Sequence, residues 1–253
     1  MSRRSRIWLF LLAAPILAAV LVDGLGGLPA FGHFHGVDGL TLNHVTVRER
    51  HATDVVTAVN FDYRGLDTMG EEFILFASSV GLVVLLREQR KDREPTEPTE
   101  PTEDSGGDNG RDPLLALVGR WSVAPIIVLG VYVVTHGQLT PGGGFQGGIV
   151  LASSLVTLLV TGGAVGPRRI GGHAALEVLE ALGSGGYVAI GVAGIIAGLQ
   201  FLSNFLPLGT TGSVLSSGTI ISLSTVVGLE VAGAISLIVA EFAEHGRSSG
   251  VTG

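Results

Sequence analysis

Long apolar runs constrain this chain more than any other feature. A helix that crosses the hydrocarbon core of a bilayer needs about 20 mainly apolar residues, roughly 17 to 25. Five stretches meet that length: Ile7 to about Leu25, Leu114 to Thr135, Gly143 to Gly162, Gly185 to Leu206, and Thr219 to Phe242. A sixth, Glu72 to Leu86, reaches it if Leu66 to Glu71 also enters the membrane. Asp23 marks where the first run meets water, and Arg120 lies near enough to the start of its run to snorkel to the interface. The expected fold is therefore all-α: a polytopic integral membrane protein with about six crossings.

Composition supports this and excludes alternatives. Of the 253 residues only 15% are charged, against 46% hydrophobic, whereas soluble domains carry about 25% charged residues. The formal charge of −7 is the wrong sign for a nucleic-acid binder. The absence of cysteine removes disulfides, thiolate zinc sites and iron–sulfur ligation. Positive charge sets orientation, because cytoplasmic flanks retain Lys and Arg. With the N-terminus inside and six crossings, twelve such residues fall inside and only Arg48, Arg50 and Arg64 outside. Both termini are then cytoplasmic. Reading Ile7 to Val22 as a cleaved signal peptide keeps the same sides downstream, but the run is longer than a usual signal core.

Repeated Glu-Pro-Thr between Glu94 and Asp104, continuing to Asp112, reads as an acidic, solvated linker. It separates an N-terminal two-helix unit (1–93) from a C-terminal four-helix unit (113–245). Asp23 to Arg50 reads as an outside loop carrying His33, His35 and His44, with no further spacing that supports a metal site. His51 to Asp62 suggests a short amphipathic helix. Asp67 or Thr68 then caps the second crossing, with Glu71 and Glu72 in its first turn, where the helix dipole favours carboxylates.

The segment His136-Gly137-Gln138-Leu139-Thr140-Pro141-Gly142-Gly143-Gly144-Phe145-Gln146-Gly147-Gly148 is the densest motif. It has neither the βα context of a dinucleotide loop nor the Lys-Ser/Thr of a nucleotide loop. It fits a tight re-entry: Pro141 sits where a helix can begin, and glycines admit close backbones. Gly143/Gly147, Gly144/Gly148 and Gly194/Gly198 are small-xxx-small pairs of the kind that pack helices in lipid.

That motif, with Asn204-Phe205-Leu206-Pro207-Leu208-Gly209, Ser217-Gly218-Thr219 and Val227-Gly228-Leu229-Glu230-Val231-Ala232-Gly233, resembles the MnhB/MrpB subunits of multisubunit Mrp-type Na+/H+ antiporters. Asp62 to Glu71 (DYRGLDTMGE) resembles the end of the large A-type component of these antiporters and its MbhE-like counterpart in membrane-bound hydrogenases. The resemblance implies a non-enzymatic, multi-pass subunit of the cell membrane without cofactor or metal. It also implies partners of the A, C, D, E, F and G types, and Na+ and H+ as the ions moved by the complex. Membership in a hydrogenase or other respiratory complex that shares the module is the alternative.

Ionisable groups in a membrane are costly, which makes them candidates for the ion path. Arg64, Asp67, Glu71 and Glu72 gather at one membrane entry, with Asp67 and Glu71 four apart on one face. His136 ends the third crossing and either relays protons or anchors the glycine turn. Glu230, eleven residues after Thr219, lies near the centre of the sixth crossing, where the resembled family often places an ionisable residue. Glu177 and Glu180 are expected at the cytoplasmic interface before the fifth crossing, with Gln200 and Asn204 available to satisfy polar groups of neighbouring helices.

Overall fold

The computed structural model describes residues 3–28, 36–91, 113–161 and 172–249. The Glu-Pro-Thr linker, His33, His35, Arg168 and Arg169 lie outside the described residues. Two compact units form, Met1–Thr41 and Leu42–Gly253. In the first, α1 (Arg3–Gly26) is apolar nearly throughout and exposes Trp8, Phe10, Leu12 and Val22. The stretch expected as one outside loop contains a second helix, α2 (Val37–Arg50), which runs across the boundary between the units.

The second unit continues with a short helix, α3 (Val55–Ala58), and a π-helical turn (Val59–Tyr63). Asp54 caps α3: its carboxylate accepts from the Thr57 amide (3.1 Å) and hydroxyl (2.6 Å). Then come α4 (Gly65–Lys91), α5 (Pro113–Thr135), α6 (Gly144–Val160), α7 (Gly172–Ile196) and α8 (Thr219–Ser249). Spans in α4, α5, α7 and α8 are long and apolar enough to cross a membrane, and Phe10–Gly26 and Gly144–Val160 are shorter apolar helices. The protein is thus all-helical among the described residues and polytopic.

Two boundaries differ from the sequence expectation. The fifth apolar helix is Gly172–Ile196, not Gly185–Leu206. The chain leaves it through Gly198, whose φ of +81° suits glycine, so the apolar residues Leu199 to Leu206 belong to the following loop. Gly198 is consequently a helix-ending residue, with nothing within 4 Å of where its Cβ would lie. Second, α4 begins at Gly65, so Asp67 and Thr68 lie inside its first turn. The Thr68 hydroxyl donates to the Asn60 carbonyl (2.7 Å) and ties α4 to the π-helical turn.

Helix α8 is the hub. It packs against α4, α5, α6 and α7, and 67% of its apolar window is buried, against 11% for α5. Lipid offers no apolar driving force for helix association, so close backbone approach must supply it. The glycine motif does this at the α5–α6–α8 crossing. A Cβ on Gly147 would lie 2.8 Å from the Val134 nitrogen and 2.9 Å from the Gly130 carbonyl, and one on Gly148 would lie 2.9 Å from the Gly228 carbonyl. Gly144 presses on Val227 and the Ser224 carbonyl, and the Ser224 hydroxyl donates to the Val134 carbonyl (2.9 Å).

The end of the bundle that the charge bias places outside is closed by three loops. Buried Gln138 donates from Nε2 to the Val214 carbonyl (2.7 Å), while its own backbone carbonyl accepts from the Thr53 (2.9 Å) and Asp54 (3.1 Å) amides. Asn204 spans Ser217 and α8: Nδ2 donates to the Ser217 carbonyl (3.0 Å), and Oδ1 accepts from the Thr219 amide (2.8 Å).

Candidate ion-path site

Helix α7 carries His173, Glu177, Glu180, Ser184 and Tyr187 at steps of four, three, four and three residues. That spacing aligns them on one helix face. The face meets α8 where both helices lose their side-chain bulk. A Cβ on Gly183 would lie 2.6 Å from the Glu230 nitrogen, and one on Gly233 would lie 2.8 Å from the Glu180 nitrogen. These two glycines set Glu180 and Glu230 side by side in the seam. Helix α4 adds Glu72 from the third side.

Three glutamates from three helices therefore meet inside the bundle: Glu72, Glu180 and Glu230 are 1%, 2% and 0% exposed. The Glu72 and Glu230 side chains approach each other directly. Glu180 lies within electrostatic reach of Glu230 and beside the Ser79 hydroxyl of α4. Ser184 approaches Glu230 while its hydroxyl bonds the Glu180 carbonyl at 3.1 Å. These approaches leave both carboxyl oxygens of Glu72, both of Glu230, Oε1 of Glu180 and the Ser79 hydroxyl without a partner of hydrogen-bonding geometry. An unpaired buried carboxylate costs several kcal/mol, and two adjacent carboxylates oppose each other's ionisation. Charge in the cluster is therefore unfavourable unless a proton neutralises it. Among the described residues no group of three or more His, Asp or Glu side chains is placed to hold a metal ion.

The other sequence-derived candidates, Arg64, Asp67, Glu71 and His136, lie toward the outer end. At the outer end Arg64 Nε bonds Asp67 Oδ2 at 2.6 Å, and both side chains are exposed. Glu71 is exposed on α4, one residue from buried Glu72 and therefore about 100° around the helix from the seam. His136 stacks on Tyr132 (4.1 Å between centroids) and its Nδ1 lies 3.0 Å from the Tyr132 carbonyl, so its ring folds back one turn onto α5 just before the glycine motif. The carbonyl of His136 accepts from the Thr140 amide (2.9 Å). From Pro141 the loop leads through Gly142 to Gly143, whose φ of +117° starts α6. Phe145 packs on the core and Gln146 sits near Gly143. At the inner end His173 Nε2 lies 2.9 Å from Glu244 and Nδ1 lies 3.4 Å from Glu241.

Placing Glu180 at an interface is corrected by its burial. Because α7 starts at Gly172, not Gly185, Glu180 falls within the helix and against α8, while Glu177 is exposed. The signal that identifies Glu180 is the His173–Tyr187 polar periodicity in an otherwise apolar helix.

A family profile described as a domain related to the MnhB subunit of the Na+/H+ antiporter matches residues 114–237, which span α5 to α8. The chain is 32% identical to a chain of the membrane-bound sulfane sulfur reductase, an archaeal respiratory membrane complex, covering 94% of this chain and 97% of that one (TM-score 0.70). It belongs to the MnhB-related family. An uncharacterized protein of Methanocaldococcus jannaschii is 30% identical over 242 residues, 87% of this chain and 88% of that protein. A chain of the Mrp complex from Dietzia sp. DQ12-45-1b shares the fold at 23% identity (TM-score 0.69); 96% of the MnhB-related chain corresponds to 26% of that longer chain. The MnhB-related chain is accordingly a membrane-embedded subunit of the antiporter-module type, which works among other membrane subunits.

Proposed function

We propose that this protein serves a Na+/H+ antiporter complex without catalysing a chemical reaction itself, and that Glu72, Glu180 and Glu230 hold the proton in transit. The observation that carries this reading is the meeting of three buried carboxyl groups with unpartnered oxygens in one helix seam. A chain that needed only assembly would gain from apolar residues of similar volume there, since burying charge is unfavourable unless it is used. Arg64, Asp67 and Glu71 stand at the outer approach to the cluster, and the His136 carbonyl supports the glycine turn.

The test is cation-driven proton exchange in inverted vesicles that contain the whole complex, followed by dye quenching. Glu230→Gln keeps the shape of the side chain and removes its titration, so exchange should fall at least tenfold with the complex still assembled. Full exchange by that variant would reject the reading. A second reading, a membrane arm of a respiratory complex, draws on the 97% coverage of the sulfane sulfur reductase chain. Co-purification separates the two: antiporter subunits support the first, and hydrophilic redox subunits the second.

A further inference from the structure

We propose that the open cavity between the start of α4 and the loop after α7 is the outer access to the buried glutamates, and that Tyr187 hydrogen-bonded to Gly65 is the septum that closes it. This rests on the reading of the glutamates as an ion site and adds the route by which that site meets the outside.

The cavity has a volume of about 980 Å³, and its wall includes Arg50, Asp62, Arg64, Asp67, Gln200 and Asn204. Arg50 pairs with Asp62 and Arg64 with Asp67, so the mouth is polar without a net field that would repel a cation. A cleft of about 530 Å³ on α5 shows the contrast: Leu117, Val118, Trp121 and Pro125 line it, as suits lipid or an apolar partner. Burial pushes the Tyr63 phenol up, so the aromatic wall beside the Arg50–Asp62 pair stays neutral.

The start of α4 forms part of the cavity wall. Gly65 lines it, and its carbonyl accepts from the hydroxyl of Tyr187, a side chain 1% exposed, at 2.8 Å. Leu202 holds the same spot from the loop: its methyl group lies 3.7 Å from where a Gly65 Cβ would be, and its φ of +62° is unusual for so bulky a residue. Behind the septum, Tyr187 faces Thr68 and lies within electrostatic reach of Glu72 and Glu71. Glu72 is seven residues beyond Gly65 on α4, two turns or about 10 Å deeper. Tyr187 likewise stands two turns outward of Glu180 on α7. Its ring therefore fills the layer between the open mouth and the carboxyl groups. The π-helical turn contributes Asp62 and Tyr63 to the wall and anchors Thr68 through Asn60, in keeping with the placing of such turns at functional sites.

The chain has no cysteine, which allows single thiols to be placed in it and probed with a charged, membrane-impermeant methanethiosulfonate reagent applied from outside. The unsubstituted complex is the control for thiols elsewhere. Gln200→Cys should be labelled, and labelling should cut exchange at least fivefold. Glu72→Cys should be protected while Tyr187 is present, and should label at least fivefold faster with Tyr187→Ala. Tyr187→Phe, which keeps the ring and loses only the bond to Gly65, should give an intermediate rate and decides the matter if the alanine variant does not assemble. Labelled Gln200→Cys with undiminished exchange, or Glu72→Cys equally protected in every assembled Tyr187 variant, would overturn the proposal. Labelling does not depend on transport, so loss of the access route and failure of the glutamates as an ion site are distinguished: Glu230→Gln alone reports the latter.

Discussion

Gly183 and Glu230 touch backbone to backbone: a Cβ added at Gly183 would lie 2.6 Å from both the nitrogen and the Cα of Glu230. This contact seats α7 on α8 and fixes the depth at which the Glu230 carboxyl sits. Gly183→Ala should therefore loosen the seam, since overpacking a tight contact costs roughly 1–3 kcal/mol. Gly185→Ala, two residues on with open space around it, should be neutral. Native-gel yield of the complex compares the two, and equal yields would show that the seam tolerates a wider spacing.

Gln138 joins the glycine turn to the loop before α8. Replacing it with alanine removes the 2.7 Å bond to the Val214 carbonyl and leaves that acceptor without its partner, a loss of about 1–3 kcal/mol. The purified complex should melt at a lower temperature, while Gln138→Glu, which also lacks the amide donor, should melt no higher than the alanine variant.

Asn204 caps α8 from a distance of fifteen residues by accepting from the Thr219 amide. Asn204→Ala should destabilise by about 0.5–2 kcal/mol, the usual range for a lost cap, and Asn204→Asp, which keeps the acceptor for the Thr219 amide but sets an oxygen against the Ser217 carbonyl, should recover only part of it. Protease resistance of the loop after α7 provides the measurement. Unchanged resistance in the alanine variant would assign the capping to Ser217 and water.

Much of this architecture could be read from the sequence because bilayer thickness imposes a length on apolar runs, and glycine admits contacts that no other residue does. Five of the six apolar runs lie in helices close to their expected bounds, and Gly144, Gly147 and Gly148 pack where close approach was expected. The fifth run was displaced because hydropathy cannot separate an apolar loop from a helix: Leu199, Phe201 and Leu202 extend the apolar signal beyond Ile196. That displacement hid Glu180. Glu71 and Glu72 are indistinguishable in sequence, and only the packing of α4 on α8 shows that Glu72 faces the seam. The septum was not legible either, since Gly65 and Tyr187 are 122 residues apart and neither carries a charge.

The central claim is that Glu72 and Glu230 work as one unit, and exchange by Glu72→Gln, Glu230→Gln and the double variant in assembled complexes tests it most directly. Residues that act together give strongly non-additive losses. Each single variant should lose at least tenfold in exchange rate, and the double variant should be no slower than the worse single. Single variants at the full rate, or a double variant slowed by the product of the two single effects, would contradict the claim.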